Sequence, residues 1–266
     1  MKQLEQTIQQ ILTTCPCQQA LLIRHLPSGR QFALNPDQVF PAASMIKLPI
    51  MYEVMRQASQ GRLALEELLE VTEAVRVGGA GILQELRPGI ALTVQELVTL
   101  MIVISDNTAT NLLLNRIGLA AVNSTAEQLG LTNTVLRRRM MDFTAARAGQ
   151  ENHTSVADIA KLLEIMYQQT TLPPEYGELM LNILKRQQIR DKLPFYLPED
   201  IAIAHKTGTL DGVEHDAGIL FSAGGPYLIS VMTADLPVNY QGLQLVAQIG
   251  RAIFEYSHTP SARANC

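Results

Sequence analysis

Ser44 and Lys47 stand three residues apart in Phe40-Pro41-Ala42-Ala43-Ser44-Met45-Ile46-Lys47, ahead of a periodic apolar stretch that includes Met51, Tyr52 and Met55. On a helix that spacing puts both side chains on one face. A serine at the helix N-terminus also meets backbone N–H groups and the positive end of the dipole, which favour developing negative charge. A serine hydroxyl is a weak nucleophile until a neighbour takes its proton, and a lysine amine does so once its surroundings depress its pKa. The pair reads as a nucleophile beside its base, although two residues at one spacing are a weak motif alone. Pro49 falls in the first turns of the expected helix, where it is tolerated.

Two further segments carry polar groups that such a pair needs. Ser105-Asp106-Asn107 follows an apolar helical stretch through Leu97, Leu100, Met101 and Ile104 and precedes another helix. A short loop there aims polar side chains into a cleft, whereas taken alone it is an ordinary N-cap. Lys206-Thr207-Gly208-Thr209 continues a strand expected over 201–205. At a sheet edge, Gly208 allows close approach of a ligand backbone; the competing reading is an edge protected by a lysine.

The elements that hold these segments follow from periodicity. Leu4, Ile8, Ile11 and Leu12 form one face of a first helix, and strands over 20–26 and 31–34 flank the turn Pro27-Ser28-Gly29. Helical spacing dominates from 44 to 185, for example at Ile159, Leu162, Leu163 and Met166. Past Pro198, strands are expected over 201–205, 215–222 and 227–233, and a closing helix over 241–257. Strands from both ends of the chain need neighbours. The expected fold class is therefore α/β of the α+β kind: an antiparallel sheet flanked by the terminal helices, with an all-helical domain inserted. The expected division is 1–43 with 199–266 for the sheet domain and 44–198 for the helical domain, the active site lying at their interface.

Composition narrows the functions. A chain of 266 residues, 47% hydrophobic and 17% charged, buries a substantial core and is neither disordered nor a small stapled scaffold. A net charge of -4 with no long basic run offers phosphate backbones no general attraction, so no nucleic-acid partner is expected. Cys15 and Cys17, separated only by Pro16, have a spacing that rarely closes a bridge and read as apolar fillers, while Cys266 sits on a polar tail. The apolar stretch 217–234 approaches membrane-span length, but Gly224-Gly225-Pro226 cuts it into a hairpin. The N-terminus MKQLEQTIQQ has no apolar region behind a basic start, so no signal peptide is expected and the protein is either cytosolic or processed. His205 and His215 lack further ligands at metal-binding spacing; neither metal nor cofactor is expected.

Taken together, and in this order on a helix start, an inter-helix loop and a strand, the three motifs resemble the class A β-lactamase and penicillin-binding protein superfamily, whose signature is S-x-x-K, S-D-N and K-T-G. The resemblance runs from the first hairpin to the last helix and includes Ser105-Asp106-Asn107-Thr108-Ala109 followed by Asn111-Leu112-Leu113. It implies a β-lactamase-like fold and an acyl-serine mechanism. Ser44 would attack the carbonyl of a β-lactam or a D-alanyl-D-alanine peptide, and Lys47 would accept or relay its proton. Ser105 would protonate the leaving nitrogen, Asn107 would hold the substrate amide and Lys47, and Lys206, Thr207 and Thr209 would bind the substrate carboxylate. The N–H groups of Ser44 and Thr209 would form an oxyanion hole, typically worth ~2.7–4 kcal/mol per donor. The implied partners are β-lactam antibiotics and peptidoglycan stem peptides, and the implied location is periplasmic or extracellular.

The chain departs from the family in two places. Class A β-lactamases use a Glu to activate the deacylating water, and its E-x-x-x-N motif is absent from 136–152, LRRRMMDFTAARAGQEN. The family's separation puts that Glu at Met141, or at Met140 in a shifted loop, and neither side chain takes a proton. Asp142 and Glu151 are near enough in sequence to substitute, and Arg137-Arg138-Arg139 reads as a loop face with local ion pairs rather than a polymer site. The Arg that many relatives place beside the K-T-G strand is missing from Glu214-His215-Asp216 and Tyr227-Leu228. The resemblance thus implies a PBP-A-type penicillin-binding DD-peptidase with slow deacylation. The alternatives are a class A β-lactamase with a relocated base and a sensor acylated once.

Overall fold

Leu4 and Ile8 are buried while Gln3, Gln6, Gln9 and Gln10 are exposed, which makes the N-terminal segment the amphipathic helix α1 (Lys2–Leu12) in this computed structural model, which describes residues 2–259. The hairpin β1 (Gln18–His25) and β2 (Gln31–Leu34) follows, then a short strand β3 (Phe40–Pro41), a 3₁₀ turn (Ala43–Ile46) and α2 (Lys47–Ser59). A second hairpin, β4 (Leu68–Val71) and β5 (Ile90–Thr93), leads to α3 (Val94–Val103), α4 (Asn107–Ile117), α5 (Leu119–Gln128) and α6 (Phe143–Arg147). Strand β6 (His153–Thr154), α7 (Val156–Gln168) and α8 (Pro174–Leu184) complete the middle of the chain. It closes with β7 (Ile203–Leu210), β8 (Val213–Ser222), β9 (Gly225–Ala234) and α9 (Asn239–Ser257).

The main sheet is antiparallel, in the order β2-β1-β9-β8-β7. Strand side chains alternate between faces. Leu21, Ile23, Ile229 and Val231 pack with α1 and α9, whereas Ala20, Leu22, Leu228 and Met232 join the larger core shared with α2, α3, α4 and α7. Both faces of the central strands are therefore buried, which is why 217–234 reads as a continuous apolar run. The hairpin expected at Gly224-Gly225-Pro226 joins β8 to β9, with Gly225 at φ +93°. Edge strand β7 carries Lys206-Thr207-Gly208-Thr209.

The mixed α/β class, with strands from both ends around a helical middle, is the observed one. Two expectations are corrected. The small sheets β3–β6 and β4–β5 interrupt the helical middle, and their two- to four-residue strands are too short to show a period. Helix α2 starts at Lys47 rather than Ser44, because Ala43 has φ +46° and the chain enters through the 3₁₀ turn. Pro49 then sits in the first α-helical turn, where its missing N–H has no intrahelical partner to lose. Cys15 and Cys17 are free with their sulfurs 3.3 Å apart, and Cys266 lies outside the described residues. No helix among the described residues is long and apolar enough to cross a membrane.

Candidate active site

The segment entering Ser44 is tied on both sides. The Ala42 N–H donates to the Asn152 carbonyl (2.7 Å), joining it to the loop before β6. From the sheet, His215 Nε2 donates to the Pro41 carbonyl (2.9 Å), while His215 Nδ1 accepts from the Thr233 N–H (3.3 Å). Those two bonds assign the neutral tautomer, and burial pushes its pKa down to about 4. His215, considered as a metal ligand from sequence, is thus a strut beneath the nucleophile. Ala43 holds its left-handed backbone between these ties; such strain costs ~1–3 kcal/mol and persists only where the surroundings impose it.

Lys47, on the first turn of α2, is completely buried and faces four oxygens: Ser44 Oγ at 3.1 Å, Ser105 Oγ at 2.9 Å, the Ser105 carbonyl at 2.6 Å and Asn107 Oδ1 at 2.9 Å. Desolvation brings its pKa down from 10.5 to about 7, against the opposing charge of Asp106. A substantial neutral fraction near pH 7 follows, with a lone pair available for the Ser44 proton. Lys206 approaches from β7 and donates to the same Ser105 Oγ (3.1 Å) and to the Thr207 carbonyl (2.7 Å). Its pKa is held well below 10.5 by burial first and then by the charges of Lys47 and Lys192, with Asp216 opposing. Ser105 Oγ is therefore bridged by two buried amines, and Ser44, Lys47, Ser105, Asn107 and Lys206 form one connected group.

The loop between α3 and α4 is braced by a segment that sequence reasoning missed. Asp106 caps α4 through the Ala109 N–H (2.8 Å) and accepts from the N–H groups of Ile82 (2.7 Å) and Leu83 (2.9 Å). Asn107 donates from Nδ2 to the Gly78 carbonyl (3.1 Å), leaving Oδ1 to Lys47. A Cβ on Gly81, at φ +113°, would lie 2.3 Å from the Asp106 carboxylate, so this approach requires glycine. The signal in sequence was Gly78-Gly79-Ala80-Gly81.

Gly208 brings β7 against the nucleophile: a Cβ there would lie 3.3 Å from the Ser44 nitrogen and 3.2 Å from Ala43 Cβ. Thr209 follows and lines, with Ser44 and Asn107, a cleft of about 170 Å³. Thr207 is buried on the same strand. The Thr209 hydroxyl donates to Glu214 Oε2 (2.8 Å) and accepts from Lys192 Nζ (3.1 Å). Lys192, buried in the loop before β7, supplies a cation near the site, where neither β8 nor β9 offers the arginine that the resemblance implies.

Where the resemblance requires a general base, the cleft presents Met140 and Met141, and among the described residues it has no aspartate or glutamate in its lining. Asn111 brackets the Met140 backbone, accepting from its N–H (2.9 Å) and donating to its carbonyl (3.1 Å). Asp142 caps α6 at the Ala145 N–H (2.9 Å) and lines the neighbouring cavity instead. Glu151 is held by Arg138 at 2.8 Å. Arg137 and Arg139 bond to His153 and Asn115, so the arginine run is spent on local contacts, with Arg138 itself buried.

Comparison with known proteins places this geometry. A β-lactamase of Sphaerobacter thermophilus DSM 20745 superposes with a TM-score of 0.87 at 32% identity, covering 97% of each chain. The structure of PBP-A does so with a TM-score of 0.87 at 34% identity, covering 96% of each chain. The extended-spectrum β-lactamase PER-1 of Pseudomonas aeruginosa is 26% identical over 238 residues, 84% of this chain and 77% of PER-1. Residues 3–257 match the sequence profile of the β-lactamase enzyme family, and with the same fold along almost its whole length the chain belongs to that family.

Proposed function

We infer that this protein is a penicillin-binding serine hydrolase of the DD-peptidase kind, acylated at Ser44 and slow to release the acyl group. The observation that carries the reading is a cleft with a full set of acylation groups and, among the described residues, no carboxylate in its lining. Neutral Lys47 takes the Ser44 proton as Oγ bonds to the substrate carbonyl carbon, and the N–H groups of Ser44 and Thr209 receive the oxyanion. The carbonyl carbon–nitrogen bond then breaks, and the nitrogen takes the Ser105 proton, which Lys47 replaces across 2.9 Å. Lys206 and Thr207 hold the substrate carboxylate. Water meets the acyl-enzyme with Met140 and Met141 beside it, and loss of a positioned base costs ~10²–10⁴ in rate. Acylation by a penicillin has a precedent among the relatives: a leucine-to-glutamate mutant of PBP-A, 33% identical to this chain, has been solved as its acyl-enzyme complex with penicillin G.

The site would work between a sheet portion (1–43 with 199–266) and a helical portion (44–198), on cell-wall peptides outside the inner membrane. The competing reading is a β-lactamase with a relocated base. Steady-state hydrolysis of benzylpenicillin, run beside D-alanine release from an acyl-D-alanyl-D-alanine peptide, separates the two. Fast penicillin turnover, abolished in Asp142→Asn or Glu151→Gln, would overturn the peptidase reading and identify the base.

A further inference from the structure

Glu214 is buried on β8 directly across from Thr209 on β7, and both its carboxylate oxygens are committed. Oε1 accepts from Asn239 Nδ2 on α9 (2.8 Å), while Oε2 accepts from the Thr209 hydroxyl (2.8 Å) and lies 3.0 Å from Lys192 Nζ. The surroundings are shaped to keep it there. A Cβ on Gly242 would lie 2.9 Å from Glu214 Cβ, so α9 leaves room for its stem. The Leu193 N–H donates to Asp216 (3.0 Å), which pins the loop carrying Lys192 to the sheet. Thr209 is the member of this group that also lines the Ser44 cleft.

We propose that Glu214 is a specificity-determining residue, a resident carboxylate that competes with the carboxylate of an incoming acyl donor for Lys192 and Thr209. The inference rests on the acyl-serine reading of the site. With its proton given to Glu214 and its oxygen facing the Lys192 amine, the Thr209 hydroxyl has no hydrogen left for a substrate. The Lys192 charge meets an anion of opposite sign before it reaches the cleft. The carboxylate of a donor is then held by Lys206 and Thr207, and the site accepts donors lacking that carboxylate at a smaller disadvantage than a site with a free cation imposes. Removing the Glu214 charge releases one charge-assisted hydrogen bond to the substrate, which predicts an increase of about tenfold or more in preference for the free acid.

The test is the ratio of second-order Ser44 acylation constants for benzylpenicillin and benzylpenicillin methyl ester, a ratio in which any general loss of reactivity cancels. The expected result is a ratio about tenfold or more higher in Glu214→Gln than in the native protein, returning toward the native value in the double variant Lys192→Gln/Glu214→Gln. Glu214→Ser, which leaves Thr209 a hydroxyl partner, carries the same expectation if the glutamine variant does not fold. An unchanged or lower ratio in a folded variant overturns the proposal and makes Glu214 a structural brace. Failure of both compounds to label the native protein at Ser44 would instead refute the acyl-serine reading.

Discussion

Replacing Met140 with glutamate should convert a long-lived acyl-enzyme into one that turns over. The backbone of residue 140 is held at both its N–H and its carbonyl by Asn111, at 2.9 and 3.1 Å, so a new side chain starts from a defined position on the wall of the Ser44 cleft. That cleft, at about 170 Å³, exceeds tenfold the ~10–15 Å³ that one water needs, so the nucleophile and its base fit together. Met140 is buried, so desolvation will raise the new carboxyl from its usual ~4.3, and even a rise of about two units leaves it ionised at pH 7.5. A positioned base gives ~10²–10⁴, so the half-life of the benzylpenicillin adduct should fall by at least about a hundredfold. The assay is decay of the adduct after removal of free drug, with Met140→Gln as the control that fills the same space without a base. If neither Met140→Glu nor Met141→Glu shortens the adduct lifetime while both proteins fold and acylate, the missing base does not account for slow deacylation.

The remaining predictions concern acylation and stability. Because Lys47 must be neutral to take the Ser44 proton, the acylation constant should rise as pH increases through about 7 and level off above it; a profile flat from pH 5 to 9 contradicts the assignment. The displacement from 10.5 to about 7 corresponds to about 5 kcal/mol of buried-amine cost. The unfolded chain binds the extra proton between those two values, so the stability of the native protein relative to Lys47→Met should increase as pH rises from 7 to 10.5, read by urea unfolding. Gly208→Val adds methyls beyond a Cβ already 3.3 Å from the Ser44 nitrogen, and displacing β7 by about 1 Å should lower acylation by about a hundredfold, alongside an overpacking cost of about 1–3 kcal/mol read by urea unfolding.

Much of this site was legible in sequence because each motif is a contiguous polar cluster in an apolar, periodic context. Ser44 with Lys47, Ser105 with Asn107, and Lys206 through Thr209 could each be assigned to a helix start, a loop and a strand before any contact was known. The partners that act across the fold were not legible. Lys192 and Glu214 are far apart in sequence and belong to no motif; only the β7–β8 register and the anchored loop bring them to Thr209. His215 looked like half a metal site because its role, bonding the Pro41 carbonyl, depends on a backbone contact from the other end of the chain. Counting residues left Met140 and Met141 as alternatives, and both line the cleft, with Asn111 fixing the former. The 3₁₀ entry to α2 was hidden as well, since Ala43 gives no sign in its side chain of a positive φ.

The central claim, acylation at Ser44 without an efficient route for water, is tested most directly by intact-protein mass spectrometry after mixing with benzylpenicillin, sampled from seconds to hours. The account predicts a mass increase equal to the whole drug, located at Ser44, persisting for many minutes and absent from Ser44→Ala. Rapid loss of the drug with no accumulated adduct, or an adduct that survives in Ser44→Ala, would contradict it.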